Sequence, residues 1–450
     1  MARRPEGLFY AIDERPPLLT LFVLGLQHII LMSSTLVLPV VLVSEIGGSF
    51  DEVRGVVALS MIACGVGTIV QAMRVRGFGS GYLCPNLVGP NFFGALLGAA
   101  WLGGLPLMRG MTIVAGLFEA VFARFVRHVR FLFPPEITGL VVLMVGEGLI
   151  PLGASKFLGI TYQDEPISRL TFLVALATLF CMVAVNVWSH GKLRLYGVLI
   201  GLVAGYVLSL VTGLFGPLQL QRVYEAPWAA FPWISGMTQI SFRWSLLPAF
   251  LIASATGALK TMGNLTMAEK INDAGWKEPD IKRIGGGLLA DSVAVTVSGL
   301  IGGMASDTSA SNVALSSASG ATSRVIAYVA GGLFIVLGFF PKISALLSVM
   351  PMPVMGAILI FVTSFMLLSG LQIILSSGID ARKTFIIGIA LIFGLSLDIM
   401  PELYAGIQGW LRSLFDSPLT LATVVAVVLN QVFPAHTTSK AKPAQYAAAE

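Results

Sequence analysis

Between Pro17 and Phe433 the sequence returns roughly fourteen times to an apolar run of about twenty residues, the length a helix needs to cross the hydrocarbon of a bilayer. A soluble core has no room for so many. Only 11% of residues are charged, against about a quarter in soluble domains. With 56% hydrophobic residues and a mean hydropathy of +0.86, the chain reads as an integral membrane protein. Barrel strands would alternate apolar and polar residues over short segments. These runs are continuous, so they predict an all-α polytopic bundle. The first run starts after Pro16-Pro17 and continues without a small-residue cleavage site, so it is expected to remain as a span.

Basic residues orient such a chain, because cytoplasmic loops carry the excess of Lys and Arg. With the N terminus inside and fourteen spans, nineteen of the 28 fall inside, eight outside, and Lys260 within the membrane. Arg3, Arg4, Arg130, Lys440 and Lys442 belong to the inner set, Arg109 and Arg412 to the outer. Both termini are expected in the cytoplasm, in a cell (inner) membrane. The net charge of +5 is then a topology signal and calls for no nucleic-acid partner. Cys64, Cys84 and Cys181 lie in or beside apolar runs without paired spacing, as packing residues do. Neither a zinc-protease HExxH, a GxSxG elbow nor a Walker loop is present, so no enzyme, cofactor or metal is expected.

The most polar interior stretch divides the chain. Residues 1–16 are expected as a cytoplasmic segment, 17–215 as a first repeat, 216–245 as an extracytoplasmic linker, 246–433 as a second repeat and 434–450 as a cytoplasmic tail. Seven runs per half, an odd number, make the halves face opposite ways across the membrane, the inverted repeat of many secondary transporters. Each half has one irregular run at its third span, the third and tenth of the chain: GFGSGYLCPNLVGPNFFGALLG (77–98) and GGMASDTSASNVALSSASGATS (302–323). Broken backbone at membrane depth is tolerated only inside protein or along a cavity. Asp307, Thr308 and Ser309 are expected to cap the second half-helix, whose first residues Ala310, Ser311 and Asn312 would meet a ligand. Phe92 and Phe93 offer flat surfaces against which a planar ring would stack.

Lys260 interrupts LLPAFLIASATGALKTM (246–262), and an ammonium there must face a polar cavity or a partner charge. Asp291 or Asp307 would neutralise it, and a buried pair that only fixes packing is the plainer alternative. Glu119 and Glu147 are further acidic interruptions. His28, beside Gln27, is a candidate proton-responsive group.

Taken together, Gln27-His28, the Phe-bearing break, Lys260-Thr-Met-Gly-Asn264 and Ser-Asn-Val-Ala-Leu (311–315) resemble the nucleobase/ascorbate transporter family, over about Leu18 to Phe433. FPPEITGLVVLMVG (133–146), ADSVAVTVSGLIGG (290–303) and MPMPVMGAILIF (350–361) support the resemblance. It implies a seven-plus-seven inverted repeat with core and gate domains, often dimeric, and proton- or sodium-coupled uptake of xanthine, urate, uracil or related bases. In the family's usual pattern the eighth span carries Glu-x-x-Gly-Asp or Gly-His and the tenth Gln/Glu-Asn-x-Gly followed by Thr. Here Lys260 stands at the Glu position, Asn264 at the following polar one, Ser311 for Gln/Glu, Ala314 for Gly and Ser319 for Thr, while Asn312 is kept. An ammonium can only donate hydrogen bonds, so Lys260 favours a carbonyl-rich or anionic ligand such as an oxidised purine. The expectation is a proton-coupled nucleobase permease with Lys260, Asn264, Phe92, Phe93, Ala310, Ser311 and Asn312 at the substrate and His28, Gln27, Asp291 and Asp307 as coupling candidates. The rival is a small organic or inorganic anion carrier on the same fold, working by uniport or exchange; a receptor without flux is a third class.

Overall fold

The computed structural model describes residues 5, 8–129, 134–160, 167–234, 238–376, 378–404, 406 and 417–433. The tail 434–450 and six residues used for orientation (Arg3, Arg4, Arg130, Arg412, Lys440 and Lys442) lie outside the described residues. The first half builds α1 (Leu18–Ser33), α2 (Val37–Glu45), α3 (Phe50–Ala72), strand β1 (Asn86–Val88), α4 (Phe93–Val129), α5 (Pro135–Glu147), α6 (Ile150–Leu158), α7 (Arg169–Trp188) and α8 (Gly197–Val211). The linker holds α9 (Pro217–Glu225). The second half builds α10 (Leu247–Asn272), α11 (Ile281–Ile301), strand β2 (Ser306–Thr308), α12 (Ala310–Ser319), α13 (Arg324–Gly338), α14 (Pro341–Ser348), α15 (Met352–Leu375), α16 (Ala381–Ile399) and α17 (Pro418–Val432).

Eight helical stretches among the described residues are long and apolar enough to cross a membrane, and the bent pair α13–α14, at 78°, makes a ninth if taken as one span. Phe180, Trp188, Val211 and Ile392 turn large apolar side chains outward, as a lipid-facing rim requires. α4 is two helices in series: Gly104 adopts φ +65°, a left-handed conformation that glycine takes without a Cβ clash, and Pro106 follows. The chain therefore turns between Leu102 and Leu105.

Packing divides into two bundles. In one, α3 lies along α13 and α4 along α11, an exchange of partners between the halves, with α1 and α10 on its flanks. In the other, α15 packs on α5, α6 and α7, and α16 on α17. Glycines set the closest approaches: a Cβ on Gly65 would stand 2.6 Å from the Gly331 carbonyl, and one on Gly331 would stand 2.6 Å from the Gly65 carbonyl. Gly139 and Gly370 repeat this reciprocal contact between α5 and α15 at 2.6 and 2.7 Å. Small residues that let backbones touch are the usual device where no hydrophobic effect drives helices together.

Two features depart from expectation. Arg109, assigned to an outer loop, is buried inside the first bundle, donating to the carbonyls of Gly299, Leu300 and Gln239. A cation at the end of α11 satisfies carbonyls that the helix leaves open and complements its dipole. Residues 9–14, expected only as a cytoplasmic segment, cross the end of α12: Phe9 and Tyr10 donate to the Gly320 carbonyl, Thr322 donates to that of Tyr10, and Arg324 pairs with Asp13.

Candidate substrate site at the crossed strands

The two irregular runs meet. β1 and β2 pair antiparallel with Asn86 opposite Thr308, Leu87 opposite Asp307 and Val88 opposite Ser306. Gly89 N–H donates to the Ala305 carbonyl and Ser309 N–H to that of Pro85, each at 2.9 Å. Extended backbone at this depth needs such partners, because lipid offers none. After the strands, α4 opens through a short 3-10 turn at Pro90–Phe92 and α12 opens at Ala310, so two helix starts flank the crossing.

Ser309, not Asp307, caps α12: its hydroxyl accepts from Asn312 N–H. Asp307 and Thr308 were expected in the cap, but strand pairing draws them into β2. The N–H groups of Ala310 and Ser311 belong to the turn that a helix start leaves without intrahelical acceptors. Both residues are exposed, as are Gly94 at the start of α4 and Gly263 on α10. This open face lies where α10 also touches α5 and α17 of the second bundle.

Lys260 and Asp307 form an ion pair. Lys260 Nζ donates to Asp307 Oδ1 at 2.8 Å, the carboxylate side chain 1% exposed and the lysine 25%. The other carboxylate oxygen accepts from Asn91 Nδ2. One turn along α10, Asn264 Nδ2 donates to the carbonyl and to the hydroxyl of Thr308, both at 3.0 Å. Its two amide hydrogens are thus used, and what Asn264 retains for a ligand is its carbonyl oxygen. Thr261 hydroxyl donates to Asp291 Oδ2 at 2.5 Å, and Asn86 Nδ2 donates to Asp291 Oδ1 at 2.8 Å.

The remaining candidates take other places. Asn312 is fully buried: its Oδ1 contacts His28 Nδ1 at 2.8 Å and its Nδ2 donates to Ser309 Oγ. Since that oxygen can only accept, His28 carries its proton on Nδ1, and the pair fastens α12 to α1. Phe92 and Phe93 are buried in the first bundle, the Phe92 ring about the Gly257 backbone, where a Cβ would meet it at 3.4 Å. Gln27 Oε1 has no hydrogen-bond partner among the described residues. Glu147 faces Asp398 in the second bundle, away from the crossing. A hollow of about 550 Å³ lined by Phe215, Tyr224, Trp228 and Lys342 lies beside the linker and includes none of the crossing residues.

Replacing His28 by Leu removes the donor to a buried amide oxygen. The expected loss is about 1–3 kcal/mol, read as a lower unfolding temperature with little change when His28 is replaced by Gln, whose amide can donate instead.

Asn86, Asn91 and Thr261 were not singled out as site residues in the sequence, and Thr308 was singled out only as a cap residue. Their signal was available: each is polar at membrane depth, two inside the first broken run, one beside Lys260 and one beside Asp307.

The xanthine/uracil permease profile, described as "Permease family", matches residues 19–403. The chain belongs to this family of nucleobase transporters. Among its relatives are the xanthine permease XanP of Escherichia coli, 26% identical with 95% of each chain covered, and the uric acid permease PucK of Bacillus subtilis, 25% identical over 94% of this chain and 97% of PucK. Among solved structures, the transmembrane domain of the cyanobacterial bicarbonate transporter BicA has a TM-score of 0.55 at 12% identity, covering 90% of this chain and 97% of that one. The murine Solute Carrier 26 member A9 anion transporter, in its inward-facing state, also scores 0.55 at 11% identity, covering 93% of this chain and 68% of that one. At these identities the structures share the fold alone. The permease is a multi-pass membrane protein.

Proposed function

We propose that this permease carries an oxidised purine, xanthine or urate, across the cell membrane in symport with a proton, both termini in the cytoplasm and the molecule a homodimer. The observation that carries the reading is the donor–acceptor pair on one face of α10: Lys260 Nζ and the Asn264 carbonyl, one helical turn apart, beside the open N-termini of α12 and α4. A planar base with alternating carbonyl and N–H groups offers the complementary edge.

The sequence argument left a carbonyl-rich and an anionic ligand open, because an ammonium can only donate, and left its partner as Asp291 or Asp307. Asp307 supplies the match, so Lys260 brings a hydrogen-bond donor without net charge, which favours a carbonyl-bearing base over sulfate or bicarbonate. The partner exchange of α3–α13 with α4–α11 and the reciprocal Gly139–Gly370 contact support seven-plus-seven inverted repeats. In that frame the second bundle is the gate and the first the core holding the site.

Thermal unfolding of purified protein with xanthine, urate, uracil, sulfate and bicarbonate tests the substrate. Xanthine or urate is expected to raise the unfolding temperature most, by the mass-action stabilisation of a bound state. A rise with sulfate or bicarbonate and none with any base would overturn the reading.

A further inference from the structure

We propose that Glu119 on α4 and Asp291 on α11 share a single proton and form the titrating site of this permease, with Thr261 and Thr308 linking that proton to the ligand-facing Asn264. The inference deepens the transport reading above and assigns its proton to a residue outside the ligand face.

Both side chains are 1% exposed. They meet because Gly116, one turn before Glu119, lets the helices touch: a Cβ there would fall 2.3 Å from Thr296 Oγ1 and 2.6 Å from Thr296 N. Asp291 is served as an anion, with one donor to each oxygen, Asn86 to Oδ1 and Thr261 to Oδ2. Glu119 receives no donor at either oxygen, and the Asp291 carboxyl is within its hydrogen-bonding reach. Two acceptor-only carboxylates in dry contact repel and leave four lone-pair directions facing one another. A proton resolves this. The donors already on Asp291 place it on Glu119, whose O–H then donates to Asp291.

The surrounding charged and titratable groups do not substitute for it. Lys260 on α10 is taken by Asp307 of β2, and Asp307 adds a second negative charge facing the pair. Among the described residues, Cys64 on α3 and Cys84 before β1 are further titratable neighbours, and neither is cationic.

The hydrogen-bond directions run one way. Thr261 spends its hydrogen on Asp291, so at the 2.8 Å contact between the two threonine hydroxyls Thr308 is the donor. Thr308 in turn accepts from Asn264. Loss of the proton from Glu119 to water turns a pair of charge −1 into a pair of charge −2 and drives the carboxylates apart. Asp291 then moves against Thr261, and the hydroxyl chain carries that shift to Asn264, four residues from Lys260.

The test uses full-length protein in liposomes with labelled xanthine. Glu119→Gln keeps a neutral, hydrogen-donating side chain, so xanthine counterflow should stay within about threefold of wild type while accumulation driven by a proton gradient falls about tenfold or more. Glu119→Gln that still accumulates xanthine on a proton gradient overturns the proposal. Infrared difference spectroscopy on raising pH should show a neutral-carboxyl carbonyl band in wild type that is missing in Glu119→Gln. Absence of that band in wild type overturns the proposal even if the variant fails to fold. A wild type that shows the band but no xanthine counterflow sinks the substrate reading and leaves the shared proton standing.

Discussion

Asp307→Asn is expected to destabilise the permease by about 2–3 kcal/mol and to lower its affinity for ligand by about tenfold or more. Breaking a fully buried ion pair costs about 3–5 kcal/mol, chiefly because the partner is stranded as an uncompensated charge. Lys260 is a quarter exposed, and water reaching its ammonium reduces that cost. The amide adds a second fault, because one carboxylate oxygen accepts from Lys260 and the other from Asn91, and an asparagine presents an NH2 to one of them. β2 must then shift, taking with it Thr308 and its bonds to Thr261 and Asn264. The double variant Lys260→Met with Asp307→Asn removes both charges and should recover most of the stability without recovering binding. Thermal unfolding and xanthine-induced stabilisation of the three proteins decide it. If the single and double variants melt together, the pair is not what anchors the crossing.

The sequence made the membrane bundle and the two broken runs legible because each leaves a local signature: long apolar runs in the first case, small and polar residues without large aliphatics in the second. Lys260 was equally legible, since a single charge in an apolar run has few places to go. Its partner was narrowed to Asp291 or Asp307, and the choice between them depended on strand pairing. Leu87 stands opposite Asp307 only because β1 and β2, far apart in sequence, cross with that register. The same register moved Asp307 out of the helix cap, where its position before Ser309 had suggested it belonged. His28 with Asn312 and Glu119 with Asp291 were illegible as pairs for a related reason. Each joins helices from different halves, and nothing local to His28 or Glu119 names the helix it will meet. Arg109 misled because an arginine near the end of an apolar run is usually a loop charge; here the carbonyls ending α11 make a buried site for it.

Replacing Gly370 by Val is expected to damage the second bundle severely, by about 3 kcal/mol or more, at the upper end of overpacking costs. A Cβ at Gly370 would lie 2.7 Å from the Gly139 carbonyl and from Leu143 N. Those are backbone atoms, so no rotamer change relieves the clash and α15 must move off α5 as a body. The contact is reciprocal: Gly139→Val meets the Gly370 carbonyl at 2.6 Å and should produce the same loss. The double variant should lose less than the sum, since separation of the helices for one valine makes room for the other. Gly332→Ala and Gly388→Ala are the controls, with no atom within 4 Å of the added Cβ; each should be neutral or more stable by about 0.4–1 kcal/mol through a less flexible unfolded chain. Unfolding temperatures of the five variants measure this. A Gly370→Val protein as stable as the Gly332→Ala control would mean that the second bundle is not held together by a fixed α5–α15 contact, and that α15 is free to slide past α5 at little cost. On the proposed core-and-gate reading, a fixed contact makes the second bundle move as a unit against the crossed strands, and the face it would uncover is the one that presents Lys260 and Asn264.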